Sequence, residues 1–223
     1  MKMMKKFPHF EYETPYFSQN TYVIGIDEVG RGCLAGPVHV GGVCFGFPAM
    51  ETQKNLLTLK INDSKQCSKL KRNTLSPTIK EKAVAWSIHS SPVEEINSKG
   101  IVYAIEHAAL QVVTDIMSAL PSSSSIIVFT DTLPVKSLKT IRNCPQEPIH
   151  KGDCTSISIA AASIIAKVER DSIMDTFHTQ FPAYDWSTNK GYATRAHQQA
   201  ILAHGATPLH RSLFLRKILQ NTV

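Results

Sequence analysis

Carboxylates stand directly after, or just beyond, three apolar runs that read as strands. Asp27 and Glu28 follow residues 22–26, Asp131 follows 126–130, and Asp153 lies just past 148–150. In an open α/β sheet the strand ends open onto the ligand crevice, so acids there are poorly explained as solvated decoration. Close carboxylates repel one another and need a cation or a proton to coexist. The nine histidines and five cysteines make no metal-binding spacing, which leaves hard oxygen ligands suited to Mg2+ or Mn2+. Two such ions about 3.5–4 Å apart stabilise both the attacking and the leaving oxygen of a phosphodiester displacement. Taken singly, an acid after a strand is as often a turn residue or a helix cap. The adjacent pair Asp27-Glu28 weighs more, because it follows a buried strand and runs into a glycine-rich loop.

That loop is Gly30-Arg31-Gly32. Glycines let backbone N–H groups approach a ligand closely, and an arginine reaches phosphate. Gly25 and Gly30 have the spacing of a nucleotide-binding P-loop, but Arg31 and Gly32 stand where that motif needs Lys and then Ser or Thr. Two acids inside the loop would also repel a triphosphate, so the P-loop reading is discarded.

The chain carries 24 lysines and arginines against 18 acids, a net charge of +6, which favours a polyanionic partner. Its 223 residues suffice for one domain with a sizeable core. Cysteines at 33, 44, 67, 144 and 154 are odd in number and form no C-x-x-C pair, so neither a disulfide framework nor a structural zinc site is expected. Free thiols suit a reducing cytoplasm. The basic residues 1–10 lack the apolar core of a secretory signal, and no run reaches the roughly 20 apolar residues of a membrane span.

The elements that must position the acids follow from periodicity. Residues 1–20 read as a tail or lead-in strand. Strands are expected at 22–26, 37–45, 83–89, 126–130 and 148–150. A loop follows the second strand, then a basic helix over 68–82 that Pro77 should kink or split. A short helix, a break at Gly100 and a longer helix fill 92–120, with Ile101, Ala104, Ile105, Ala108, Ala109, Val112 and Ile116 on one face. A helix over 156–179, apolar in its first half, should lie buried against the sheet. Two more helices fit 194–204, stopped by Gly205, and 211–220. The pattern predicts an α/β domain with a mixed sheet covered by helices.

Ordered blocks along the chain resemble the ribonuclease HII family. Residues 25–38, beginning Gly25-Ile26-Asp27-Glu28-Val29-Gly30-Arg31-Gly32, are similar to its first signature, with Cys33 where the family has proline. Asn62-Asp63-Ser64-Lys65 resembles a second block, and Lys151-Gly152-Asp153 with residues 158–171 a third. Asn189-Lys190-Gly191-Tyr192, residues 204–207 and His210-Arg211 resemble its C-terminal blocks. The resemblance spans about residues 22–216. It implies a ribonuclease H-like mixed five-stranded sheet flanked by helices, with a catalytic domain over 21–185 and a helical C-terminal extension over 186–223 completing the cleft. It implies an endonuclease cutting 5′ to a ribonucleotide, in RNA/DNA hybrids and in DNA duplexes with embedded ribonucleotides, leaving 3′-hydroxyl and 5′-phosphate ends. Asp27, Glu28, Asp131 and Asp153 would hold two Mg2+ or Mn2+ ions with substrate bound. Gly30, Arg31 and Gly32 would contact the ribose 2′-OH, and Tyr192 would pack on the neighbouring deoxyribose. Lys65, Lys151 and Lys190, beside the matched blocks, are candidate phosphate contacts. A monomer is expected.

Three further readings bear on the site. The family usually has Asp-Gly after the fourth strand, where this chain has Asp131-Thr132, and threonine resists the positive φ that glycine allows. Asp171 rivals Asp131 as the fourth acid, but in Arg170-Asp171 it reads as a structural ion pair. The related ribonuclease HIII family differs at the loop arginine and carries a substantial N-terminal domain, so Arg31 and the short N-terminal lead favour ribonuclease HII. A duplex-binding module without chemistry, or a carboxylate nuclease acting on DNA flaps or junctions, are the competing classes.

Overall fold

The central strands are buried on both sides, and helices cover the two faces of the sheet. The computed structural model describes residues 7–48, 50–132, 134–141 and 144–220. After the helical turn α1 (Thr14–Phe17) come β1 (Thr21–Val29), β2 (Val38–Cys44), α2 (Met50–Thr58), α3 (Lys69–Lys82), β3 (Ala85–Ser91), α4 (Val93–Lys99) and α5 (Ile101–Ala119). Then follow β4 (Ser125–Asp131), β5 (Gln146–Ile149), α6 (Gly152–Thr155), α7 (Ile157–Gln180), α8 (Trp186–Asn189), α9 (Arg195–His204) and α10 (Ser212–Gln220). The five strands lie in the order β3-β2-β1-β4-β5. The β1–β2 and β2–β3 pairs are antiparallel, and β1–β4 and β4–β5 are parallel. This is the expected mixed five-stranded ribonuclease H-like sheet.

Side chains alternate across a strand. On one face Ile24, Ile26, Val40 and Val128 pack against Ala108, Val112 and Ile116 of α5. On the other, Val23 and Phe129 meet Ile159 of α7, and Val43 joins Ile157, Ala160 and Ala161. Two glycines set how closely α7 lies. A Cβ on Gly25 would stand 2.4 Å from the Ser158 carbonyl carbon, and one on Gly41 would stand 2.6 Å from the Ala162 oxygen. The backbone of α7 therefore touches the sheet, which the small residues of its first half permit. Ala35 and Leu34, just before β2, join Met174, Trp186, Ile201 and Leu215 in a separate cluster that ties the C-terminal helices down.

Four expectations need correction. β1 does not stop at Ile26: it runs through both acids, because β2 continues to pair there, Asp27 with Gly41 and Glu28 with Val40. Pro77 does not split α3, which runs through it as one element capped by the Ser68 hydroxyl on the Lys71 N–H. The loop after β2 contains the helix α2. Residues 7–20 form no lead-in strand: they hold α1 and a single bridge from His9 to Ser156. Among the described residues no helix is long and apolar enough to cross a membrane.

Gly25→Ala should lower the unfolding free energy by about 2 kcal/mol or more in urea titration, the cost of overpacking a close backbone contact. Wild-type stability would mean that α7 can move off the sheet freely.

Candidate active site

Asp27 and Glu28 are neighbours in one strand, so their side chains leave opposite faces of the sheet. Asp27 is buried on the α7 side, where the Ser163 hydroxyl reaches it, and its Oδ1 accepts the Glu28 N–H at 2.9 Å. Glu28 lines a cleft on the α5 side with Arg31, Ile105 and Asp131, and lies 3.4 Å from the Arg31 guanidinium. Asp131 ends β4, beside β1. Its Oδ1 accepts the Gly152 N–H at 2.8 Å, which ties the strand end to the start of α6. Asp153 follows on that single turn of helix, buried, with Lys65 Nζ 3.5 Å away.

The four predicted carboxylates feel one another. Burial, then the charge of Glu28, pushes Asp27 well above the usual carboxylate range, with Asp131 and Asp153 adding to the rise and Ser163 opposing it. Burial also raises Glu28, against the pull of Arg31. Asp153 is raised by burial and by Asp131 and Asp63. For Lys65, burial opposes the charge, but Asp153, Asp63 and Asp27 outweigh it and the ammonium is held above its ordinary value. Such mutual repulsion among oxygen donors is what a hard divalent cation relieves, so the residues fit Mg2+ or Mn2+.

Two further residues join the site that sequence reasoning did not select. Asp63, Asp153 and Cys154 form a group whose candidate ligand atoms all lie within 4.8 Å of one another. Asp63 is held by the Lys65 N–H at 2.9 Å. The Cys154 thiol is pushed up to about 11 by burial and then by Asp153, so it is protonated at neutral pH unless a cation displaces the proton. Asp63 sits in a block quoted above, but its loop gave no strand end from which to infer its direction.

Two buried guanidiniums hold the glycine loop and the residues that follow it. Arg170 donates to the carbonyls of Pro37 (2.9 Å), Lys190 (2.9 Å) and Ala35 (3.2 Å). Arg211 donates to those of Gly36 and Arg31, both at 2.9 Å. Gly30 has φ +91°, and a Cβ there would lie 2.1 Å from Arg170 Nε, so the fold requires this glycine. Gly32 differs: a Cβ would meet nothing within 4 Å, so nothing inside the chain requires a glycine at this position. The Arg31 side chain is over half exposed.

Tyr192 lies at the edge of this loop, 38 % exposed, with Lys167 Nζ 5.5 Å and Arg170 Cζ 5.9 Å from its ring centre. Lys151 is exposed, in left-handed conformation at φ +53°, capping α6. Lys190 is placed differently from the phosphate contact expected of it. It is buried, its ammonium is paired with Asp175, and its backbone carbonyl takes the Arg170 bond. Its charge is committed inside the protein. Asp171 is indeed a structural ion pair, but with Lys167 at 2.7 Å and Arg72 at 3.3 Å rather than with Arg170. Cys33 is buried and burial raises its thiol, which agrees with a small apolar role.

Thr132 takes the left-handed conformation, φ +62°, that glycine would take. Its N–H donates to Ile149 at 2.9 Å and its hydroxyl to Asp131 Oδ1 at 3.2 Å. The turn behind Asp131 is kept despite a β-branched residue, at a cost of about 1–3 kcal/mol.

A mixed sheet carrying buried acids at its centre, with a guanidinium-braced glycine loop beside them, defines a carboxylate nuclease of the ribonuclease H class. The Ribonuclease HII family model matches residues 24–217. A Ribonuclease HII of Clostridium perfringens is 40% identical over 203 residues, covering 91% of this chain and 70% of that one. The RNase HII of the Archaeoglobus fulgidus PCNA:RNase HII complex superposes with a TM-score of 0.68 at 26% identity, covering 89% and 95% of the two chains. Bst-RNase HIII in complex with Mn2+ shares the fold, with a TM-score of 0.71 at 20% identity over 91% of this chain and 70% of that one. The chain belongs to the ribonuclease HII family, and its enzyme class is ribonuclease H of type 2.

Two measurements probe the site without substrate. Asp27→Asn should stabilise the metal-free protein, because a carboxylate whose folded pKa is raised loses stability as pH rises. The gap over wild type should vanish below the ordinary Asp value of about 3.9, widen as pH climbs towards the folded value, and then stay constant. A gap that narrows with rising pH would contradict the repulsion. Thr132→Gly should raise the unfolding free energy by about 0.5–1 kcal/mol, the relief of left-handed strain less the added chain entropy of glycine. A loss of stability would show that the threonine hydroxyl bond outweighs the strain.

Proposed function

We propose that the protein hydrolyses the phosphodiester 5′ to a ribonucleotide, in RNA/DNA hybrids and in DNA duplexes containing a single ribonucleotide, leaving 3′-hydroxyl and 5′-phosphate ends. The observation that carries this reading is the adjacency of the acids to an open glycine. Glu28, Asp131 and Asp153, from β1, β4 and α6, all act by charge on Asp27, and Gly32, four residues beyond Glu28 in the chain, leaves room that nothing in the chain fills. Asp27, Glu28, Asp131 and Asp153 would hold two Mg2+ or Mn2+ ions when the substrate is bound; the Mn2+ in the Bst-RNase HIII complex supports the choice. Such ions polarise the phosphoryl oxygen and lower the pKa of the attacking water.

The chain's own residues would supply position and selectivity. The 2′-OH is the one group that separates ribose from deoxyribose at a given step. A backbone braced by Arg170 and Arg211 can hydrogen-bond that hydroxyl without reading the base, and a rigid site built for a hydroxyl rejects its absence strongly. Buried Arg170 and Arg211, with exposed Arg31, favour phosphate on the loop side while the acids exclude it until cations bind. Tyr192 offers an exposed ring face to the next sugar. Lys65 and Lys151, both exposed, would meet the backbone, whereas Lys190 acts within the fold. Five unpaired cysteines suit action in the cytoplasm.

The decisive experiment is cleavage of a DNA duplex with one ribonucleotide, with Mg2+ or Mn2+, beside the same duplex in pure DNA and a continuous RNA/DNA hybrid. The expected product is one nick 5′ to the ribonucleotide, absent in pure DNA and in EDTA. Asp27→Asn and Glu28→Gln should each lower the rate on the order of a hundredfold or more while duplex binding persists. Tyr192→Ala should lose more on the single ribonucleotide than on the hybrid. Equal cutting of pure DNA would indicate a nuclease of another specificity, and no cutting at all a duplex binder without chemistry.

A further inference from the structure

Residues 7–20 lie outside the segment matched by the family model, which begins at residue 24, yet they are bound to the part of the chain that carries Asp153. Glu13 is fully buried. Its Oε1 accepts the Ser156 hydroxyl at 2.6 Å and the Ser158 N–H at 3.1 Å, at the first turn of α7. A carboxylate there satisfies free helix N–H groups and faces the positive end of the helix dipole. Four residue positions earlier on the same strap, His9 brackets the joint: its N–H donates to Thr155 O at 3.1 Å, and its carbonyl accepts the Ile157 N–H at 3.3 Å. Phe10 anchors the strap by packing into the cluster with Phe45, Ile157, Ala160 and Ala161.

The joint so gripped is the one between α6 and α7. α6 is a single turn of four residues, and one turn of helix does not hold itself in water. Its place is set by what grips its two ends. At the front, Gly152 donates to Asp131. At the back, Thr155, Ser156 and Ile157 are held by His9 and Glu13. Asp153 lies between these two grips.

We propose that Glu13, together with the backbone of His9, is a positioning residue for Asp153, fixing the α6–α7 joint and thereby setting the affinity of the carboxylate cluster for its divalent cation. The proposal rests on reading that cluster as a metal site. Loss of Glu13 leaves the Ser156 hydroxyl and Ser158 N–H without their acceptor and frees the back end of α6.

The test is Mn2+ binding to the full chain without substrate, followed by electron paramagnetic resonance, with the Mg2+ dependence of cleavage as the second readout. Glu13→Ala should weaken Mn2+ binding about tenfold, the low end for residues that orient a ligand from behind, and shift half-saturating Mg2+ in the same sense. Glu13→Gln keeps an acceptor oxygen and should restore most of the affinity. His9→Pro removes the donor to Thr155 together with the imidazole that meets Glu11; it should weaken binding in the same direction and by more than His9→Ala, which keeps the N–H, and decides the matter where Glu13→Ala does not fold. Wild-type Mn2+ affinity in folded Glu13→Ala or His9→Pro overturns the proposal while leaving the nuclease reading intact. A wild-type protein that binds no Mn2+ overturns the metal reading, and the proposal with it.

Discussion

The backbone contact between α7 and the sheet is the constraint on which the remainder of the molecule turns. Gly25 and Gly41 let the helix touch β1 and β2, and every functional group along it is registered by that contact. Ser158, against Gly25, is also where Glu13 docks. Ser163 reaches Asp27 and, at 2.9 Å, the Ser64 hydroxyl of the Asp63 loop. Arg170 braces the glycine loop, and Met174 enters the cluster of Trp186 and Ile201. One helix thus spaces the N-terminal strap, the acids, the loop and the C-terminal helices along a single axis. Thickening the interface by a methyl group would displace all of them together.

Charge is sorted along the same axis. Towards the start of α7 lie Asp27 and Asp153, both raised by burial and by the charge of neighbouring acids. About three to four turns into the helix lie Lys167 and Arg170, with Arg211 beside them, and burial lowers Arg211 to about 10. These guanidiniums are satisfied largely by loop carbonyls rather than by carboxylates, so their positive field is not cancelled locally. A polyanion approaching the cleft therefore meets attraction on the loop side and repulsion at the acids. A cation bound at the acids would reverse only the second, and would thereby couple the approach of phosphate to metal occupancy.

Local pattern made the sheet and most of the helices legible, through apolar runs for the strands and the 3.6-residue repeat for the helices. It exposed Asp27, Glu28, Asp131 and Asp153 for the same reason: each follows an apolar run. What it could not give were partnerships made across the fold. β1 was expected to end at its acids, yet pairing with β2 carries it on and sends Asp27 and Glu28 to opposite faces. Asp63 meets Asp153 and Cys154 only through the packing of separate segments. Lys190 looked like a surface cation in a matched block, whereas tertiary structure buries it against Asp175. Arg170 and Arg211 sit in quoted blocks, but nothing local marks a guanidinium that will serve backbone carbonyls far along the chain.

Thr132 illustrates how such long-range partnerships override local preference. A β-branched residue disfavours positive φ by sterics alone, yet here φ is +62°. The conformation is held from both sides. The Thr132 N–H is taken by Ile149 in the last register of β4 against β5, and Asp131 must turn to accept the Gly152 N–H. Relaxing Thr132 to an extended conformation would break the first bond and swing Asp131 away from α6. The strain of about 1–3 kcal/mol is therefore offset by two hydrogen bonds, each worth roughly 0.5–1.5 kcal/mol, and by the carboxylate geometry they impose. A local rule broken beside one of four converging acids, with its compensation visible in the same strands, is what a site selected for position rather than for stability looks like.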